Sequence, residues 1–170
     1  RFMGMVAHVH GGMINASDLG RSLGCSYHAV QRILDLLEGY FLIRRLPPYY
    51  ANLGKRLVKA SKLYIRDTGI LHYLLGIHTE ADLLQSPSRG NSFEGFMIEQ
   101  ITALEGLANP GSRFFFFRTH AGAGLDLIVD RGQTRIGYEF KCSSSASAGD
   151  WAHLKAGIAE GLIQKGIVVY

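Results

Sequence analysis

Residues 125–142 read Leu-Asp-Leu-Ile-Val-Asp-Arg-Gly-Gln-Thr-Arg-Ile-Gly-Tyr-Glu-Phe-Lys-Cys, and this stretch decides the fold. Two apolar runs, 125–130 and 135–142, stand on either side of a short polar turn and predict two strands. Asp126 lies on the first and Glu139-Phe140-Lys141 on the second. Side chains alternate along a strand, so Glu139 and Lys141 share one face and Phe140 turns to the other. Hard cations such as Mg²⁺ take oxygen ligands and keep several waters, so the Asp126 and Glu139 carboxylates, with the Phe140 carbonyl at the same edge, suffice to hold one. Lys141 is then placed to orient or deprotonate an attacking water.

Working outward, Phe114-Phe115-Phe116-Phe117-Arg118 is a third strand-like run, and a helix is expected from about Ser92 to Ala108. At a turn of about 100° per residue, Phe93, Met97, Ile101, Leu104 and Ala108 form its apolar stripe, and Glu94 falls beside that stripe while Glu99 points away. A carboxylate in an apolar arc needs a partner, because an unpaired buried charge costs several kcal/mol. A second helix from about Asp150 to Gln164 and a final strand, Gly166 to Tyr170, complete the rear half, with Trp151 expected to anchor that helix by packing.

The front half carries a different pattern. Ser17 is expected to cap a helix through Leu23, Gly24 to break it, and Ser26 to cap a second helix from Tyr27 to about Glu38. Val30, Ile33, Leu34 and Leu37 form the buried face, leaving Tyr27, His28, Gln31, Arg32 and Asp35 outward. Tyr40 to Ile43 reads as a strand, 44–52 as a turn, and Leu53 to Val58 as a return strand carrying Lys55 and Arg56. This is a winged helix-turn-helix over residues 1–75, followed by a second domain over 76–170. Residues 1–75 hold ten Lys and Arg against four acids, whereas 76–170 hold eight against ten, which fits two modules with different surfaces. In the nucleic-acid reading, Gln31 and Arg32 face a DNA groove and Arg44, Arg45, Lys55 and Arg56 neutralise flanking phosphates. A single outward arginine beside Asp35 is meagre for base readout, so a protein-interaction module is the competing reading.

Lys62-Leu-Tyr-Ile-Arg-Asp-Thr-Gly69, continued by an apolar helix from Ile70 to Leu75, resembles the K-x-Y-x-x-D-x-G signature of the domain that follows the ATPase module in a large group of bacterial and archaeal AAA+ ATPases. Asn15-Ala16-Ser17 and Tyr40 to Ile43 resemble that family's winged helix. The rear half, in the order helix, three strands, helix, strand, is similar to the PD-(D/E)XK nuclease core. The resemblance implies an α+β or α/β fold with a restriction-endonuclease-like α-β-β-β-α-β core and a mixed sheet. It also implies that Glu94, Asp126, Glu139 and Lys141 stand at the site positions, Glu94 and Lys141 in catalysis and the other two on Mg²⁺. An acid often found two residues before the strand aspartate is here Gly124. Two functions follow as expectations: a DNA-interacting region with a Mg²⁺-dependent nuclease site, or a non-catalytic regulatory or protein-interaction module on the same fold. No Gly-x-x-x-x-Gly-Lys-Ser/Thr loop occurs, so ATP is expected to bind only an upstream ATPase module outside this chain.

Other classes are disfavoured. Cys25 and Cys142 form no Cys-x-x-Cys pair and are expected to be reduced. No apolar run approaches the ~20 residues that span a bilayer, so no membrane partner and a cytoplasmic location are expected. Gly122-Ala123-Gly124 precedes a strand, as a turn does, and opens no helix. His8 and His10 lack partners at zinc spacing and are read as structural, His120 as a surface residue, and 143–147 as a loop beside the site. Arg1 at the start and the apolar run at the end suggest a piece of a longer protein.

Overall fold

The computed structural model describes residues 1–50, 58–120, 122–145 and 147–170. Its contacts divide the chain into two compact units, residues 1–45 with 60–96 and residues 46–59 with 97–170. The described residues form an α+β structure of seven α-helices and two sheets, one of two strands and one a mixed sheet of four.

The first unit holds α1 (Phe2–His8), α2 (Ala16–Leu23), α3 (Tyr27–Gly39), β1 (Ile43–Leu46), β2 (Lys62–Ile65), α4 (Thr68–Leu74), α5 (Glu80–Gln85) and the start of α6 (Arg89–Ala108). The α2 cap is Asn15, whose side chain accepts the Asp18 N–H at 3.2 Å, so the helix starts earlier than a Ser17 cap implies. Gly24 ends it in the left-handed region at φ +68°, and the Ser26 hydroxyl caps α3 by accepting the Ala29 N–H. Val30 and Leu34 are buried with Val6, Leu19, Ile43 and Leu63, so the apolar face of α3 is the one its periodicity indicates. Asp67 caps α4 by accepting the Ile70 N–H at 2.8 Å. Thr79 and Asp82 form a capping box on α5.

Two expectations are corrected here. Tyr40 to Leu42 is no strand: the Phe41 N–H donates to Glu38 O and the Leu42 N–H to Leu37 O, which closes the end of α3, and β1 begins only at Ile43. These bonds consume the donors that a sheet would need. The α6 stripe is also displaced. Ser92, Gly95, Ile98 and Thr102 are its buried line, whereas Leu104 is 66% and Leu107 83% exposed. Within the first unit, the start of α6 meets polar side chains, His10, His72, Lys62 and Tyr64, and Asn91, Ser92 and Glu94 bond to them.

The second unit holds the rest of α6, β3 (Arg113–Arg118), β4 (Gly124–Asp130), β5 (Arg135–Phe140), a 3₁₀ turn (Ala148–Trp151), α7 (Ala152–Ala159) and β6 (Lys165–Val169). The sheet order is β3-β4-β5-β6, antiparallel at the first two pairings and parallel between β5 and β6, where α7 supplies the crossover. Phe117, Leu125 and Ile128 pack against Leu154, Leu162 and Ile163. The last helix is shorter than its apolar pattern suggests. Gly161, at φ +70°, ends it, and the Leu162 N–H turns back to Gly157 O. Trp151 is 37% exposed and anchors little; Leu154 takes that place.

Residues 47–49, expected within the wing's turn, lie along the outer edge of β3. The Phe116 N–H donates to Pro47 O at 3.0 Å and the Tyr49 N–H to Phe116 O at 2.6 Å, so that stretch of the edge is paired. On the other side of β3 the register slips: Phe115 pairs with Ile128 but Phe117 with Leu125, so Asp126 and Leu127 together face Phe116. That is a β-bulge, a device that bends a strand and re-aims its side chains. The expected return strand 53–58, apart from Val58, lies outside the described residues.

Candidate active site

The bulge displaces the backbone of Asp126 from the regular ladder, and its side chain takes up a ladder donor. Asp126 Oδ2 accepts the Phe140 N–H at 3.0 Å, which ties the two strands at the point where Glu139 and Lys141 project. Glu139 is buried, and its two oxygens differ. Oε1 accepts from Lys141 Nζ at 2.9 Å, while Oε2 is buried with no hydrogen-bond partner among the described residues. A buried carboxylate oxygen without a donor is costly, so this atom calls for a ligand that supplies positive charge or a proton.

The electrostatics agree with the geometry. Burial pushes the Glu139 carboxyl above its ordinary range and the nearby Asp126 charge pushes it further, against the lowering effects of Lys141 and His153. Burial works to lower the Lys141 ammonium, but the Glu139 hydrogen bond and the charges of Glu139, Asp126 and Asp150 outweigh it and raise the group. Lys141 is therefore a firm cation, two-thirds buried, beside two carboxylates it only partly neutralises. Asp150 is held by the Ser147 N–H and hydroxyl at 2.6 and 2.8 Å, which orders the loop after Lys141 into the last helix.

Two carboxylates, one with an orphaned oxygen, fit a hard cation that brings its own waters. Among the described residues no cluster of three or more His, Cys, Asp or Glu side chains suits a metal, so Asp126 and Glu139 are the donors at hand. The Gly124 position also has a physical account. A Cβ there would lie 2.6 Å from Phe117 O, a backbone atom that cannot move aside cheaply. Gly124→Asp is therefore expected to destabilise by about 1–3 kcal/mol, as overpacking does, without adding a ligand. Thermal unfolding with Mn²⁺ titration checks this; a stable variant that binds Mn²⁺ more tightly contradicts it.

Glu94 belongs to the first unit. Its Oε1 accepts from Lys62 Nζ at 2.7 Å and from the Tyr64 hydroxyl, and all three side chains are largely buried. The spaced signature of residues 62–69 thus has a structural reading. Lys62 and Tyr64, on the same face of β2, hold α6 through Glu94, and Asp67 starts α4. Sequence reasoning placed Glu94 inward without finding these partners, although the signature contained both. Beside them His10 accepts the Ile65 N–H at Nδ1 and bonds Asn91 O through Nε2, each at 3.0 Å, which fits its structural reading.

The proposed nucleic-acid residues are dispersed in their roles. Arg32 is exposed on α3. Arg45 is drawn back onto that helix, bonding Glu38 through Nε at 2.7 Å, Asp35 at 2.8 Å and Gln31 at 3.4 Å, and these acids raise its already high pKa. Gln31 is also engaged by Tyr27. Arg44 is half-buried in β1, and Lys55 and Arg56 lie outside the described residues. No helix among the described residues is long and apolar enough to cross a membrane.

Residues 1–81 match the domain of unknown function DUF8612 and residues 89–170 the domain of unknown function DUF4143. The chain is similar to the uncharacterized protein Rv2008c of Mycobacterium tuberculosis and the uncharacterized protein Mb2031c of Mycobacterium bovis, each 42% identical over 144 residues, 84% of this chain and 32% of the relative. It therefore spans about a third of the length of these curated relatives. No solved structure gives a significant match.

Proposed function

We propose that a chain combining these two domains of unknown function is a DNA-interacting C-terminal region of a AAA+ ATPase, with a winged helix in front and a PD-(D/E)XK-like core that cleaves phosphodiesters. The observation that carries this reading is the buried Glu139 Oε2, without a hydrogen-bond partner among the described residues, beside Asp126, with Lys141 on the opposite oxygen. Asp126 and Glu139 would hold Mg²⁺, which when bound supplies charge to offset that building on the scissile phosphate. Lys141 favours the ionised form of Glu139 through its hydrogen bond, against the burial and the Asp126 charge that oppose it, and presents an ammonium to a phosphate oxygen or to the attacking water. Asp126 accepts the Phe140 N–H, which ties its carboxylate to the strand that carries Glu139 and Lys141. The signature at residues 62–69 supports placing the chain beside an ATPase module, and the similarity to longer proteins leaves room for one.

The test is cleavage of labelled single- and double-stranded DNA by the 170-residue chain. Product is expected only with Mg²⁺ or Mn²⁺, and the rate is expected to fall at least about tenfold in Lys141→Ala and in Asp126→Asn. Cleavage that needs no cation, or that survives both substitutions, removes the enzyme reading. One observation favours the non-catalytic alternative for the first unit: Arg45 is occupied by Asp35 and Glu38, which leaves α3 poorer in cations than a DNA reader needs.

A further inference from the structure

Helix α7 lies over the candidate site in step with β5. Two glycines mark where they meet: a Cβ at Gly137 of β5 or at Gly157 of α7 would come within 3.5 Å of the same two side chains, Leu125 and Ile163. Strand alternation puts Glu139 and Lys141 on the face of β5 that Gly137 turns to the helix. Because β5 and β6 run parallel, the helix that connects them runs back against both. Four residues of helix rise about 6 Å and two residues of strand about 6.6 Å, so one turn back from Gly157 keeps pace with the step forward from Gly137 to Glu139. The residue at that turn is His153. The charges agree with this register, since His153 acts on Glu139 and Asp150, further back, on Lys141.

The imidazole is presented, not packed. His153 is exposed, and no hydrogen bond holds it among the described residues. With Ala156 and Gly157 it lines a cavity of about 40 Å³ whose other wall includes Thr119, Gly124 and Leu125. Gly124 and Leu125 lead directly into Asp126, so the imidazole and both carboxylates border one small space. A space of this size takes a few waters or one small polar group. His153 does not complete a three-donor metal cluster with Asp126 and Glu139 among the described residues, so it addresses what the carboxylates hold and not the cation.

We propose, resting on the phosphodiester reading of this site, that His153 donates an N–H to a non-bridging oxygen of the substrate phosphate and positions it over Asp126 and Glu139. Lys141 reaches the site from β5 itself, whereas His153 reaches it from the helix above. Two donors on separate elements fix a phosphate that one flexible amine would leave free to turn. A neutral imidazole always carries one N–H, so the contact needs no change of protonation.

The test uses the full chain and bis(4-nitrophenyl) phosphate, a phosphodiester too small to need a nucleic-acid groove. With Mn²⁺, kcat/KM for nitrophenolate release is expected to fall about tenfold or more in His153→Phe. His153→Gln keeps an N–H donor and should recover most of that loss. With Ca²⁺ in place of Mn²⁺ to hold back cleavage, affinity for the intact diester should fall by a similar factor in His153→Phe. Mn²⁺ affinity and melting temperature should not move, because the residue is exposed and is no ligand. Binding without turnover, weakened in His153→Phe, supports the contact and removes the enzyme reading alone. Turnover that is lost in Lys141→Ala but unchanged in His153→Phe overturns the contact and keeps the enzyme reading. No binding of the diester by the unaltered chain, no recovery in His153→Gln, or a loss of Mn²⁺ affinity in His153→Phe also overturns it.

Discussion

Glu94→Ala is expected to lower the stability of the protein by about 3–5 kcal/mol, the usual consequence of removing one member of a buried ion pair. The reason lies with the partners left behind. Lys62 Nζ is 2.7 Å from Glu94 Oε1, the two side chains are 6% and 14% exposed, and the Tyr64 hydroxyl, in a fully buried residue, donates to the same oxygen. Alanine removes the acceptor that a buried cation and a buried hydroxyl share, and each loses that offset to its desolvation. Replacing the pair together, Glu94→Leu with Lys62→Met, is expected to recover most of the loss, because well-packed apolar groups often do as well as a buried pair. Urea denaturation of the three proteins at neutral pH measures both effects. A cost below about 1 kcal/mol for Glu94→Ala would show that the trio contributes little to stability.

The second large effect is a loss of stability in acid through His10. This residue is buried, and burial, with a smaller contribution from the His72 charge, lowers its pKa from 6.5 to about 4, against the raising effect of its bond to Asn91. Nδ1 accepts the Ile65 N–H, so a proton there breaks that bond. Above the unfolded value both states are neutral at His10 and its contribution is constant. As pH falls from about 6.5 to about 4 the unfolded chain takes up the proton first, so stability drops through that window and levels off below it. The shift corresponds to about 3 kcal/mol. His10→Gln keeps an acceptor for the Ile65 N–H without titrating, so its stability should be nearly flat in this contribution over the same window. Parallel pH profiles for the two proteins would rule out His10 as the source.

Both predictions concern the polar cluster between β2 and the start of α6, and that cluster shows how far the chain could be read in one dimension. Helical phase correctly turned Glu94 inward, and the apolar period of α3 correctly named Val30 and Leu34 as core. The same argument failed on the start of α6 beyond Glu94, because it assumes that a helix buries its apolar side. Here the neighbouring elements present His10, Lys62 and Tyr64, and the helix answers with Ser92 and Gly95. At Gly95 a Cβ would sit 2.6 Å from His10 Nε2, a close approach that no composition window registers. The end of α3 failed for a related reason. Tyr40 to Ile43 has strong strand propensity, yet the two closing hydrogen bonds take its donors before a sheet can.

At the candidate site, strand alternation was enough to put Glu139 and Lys141 on one face, and their 2.9 Å contact follows from that spacing with no long-range information. The order of helices and strands in the rear half was likewise legible, since each element carries its own period and its own turn residues. Three features came only from packing in three dimensions. The bulge that re-aims Asp126 arises from a slip in pairing between β3 and β4, and pairing partners are distant in the chain. The orphaned state of Glu139 Oε2 depends on every group packed around it. The commitment of residues 47–49 to the edge of β3, where a wing was expected, depends on a strand edge that lies more than sixty residues away. Local chemistry and periodicity are written residue by residue and survive in the sequence. Register, burial and the satisfaction of individual polar atoms are properties of the whole packed unit, and they exist only once it has folded.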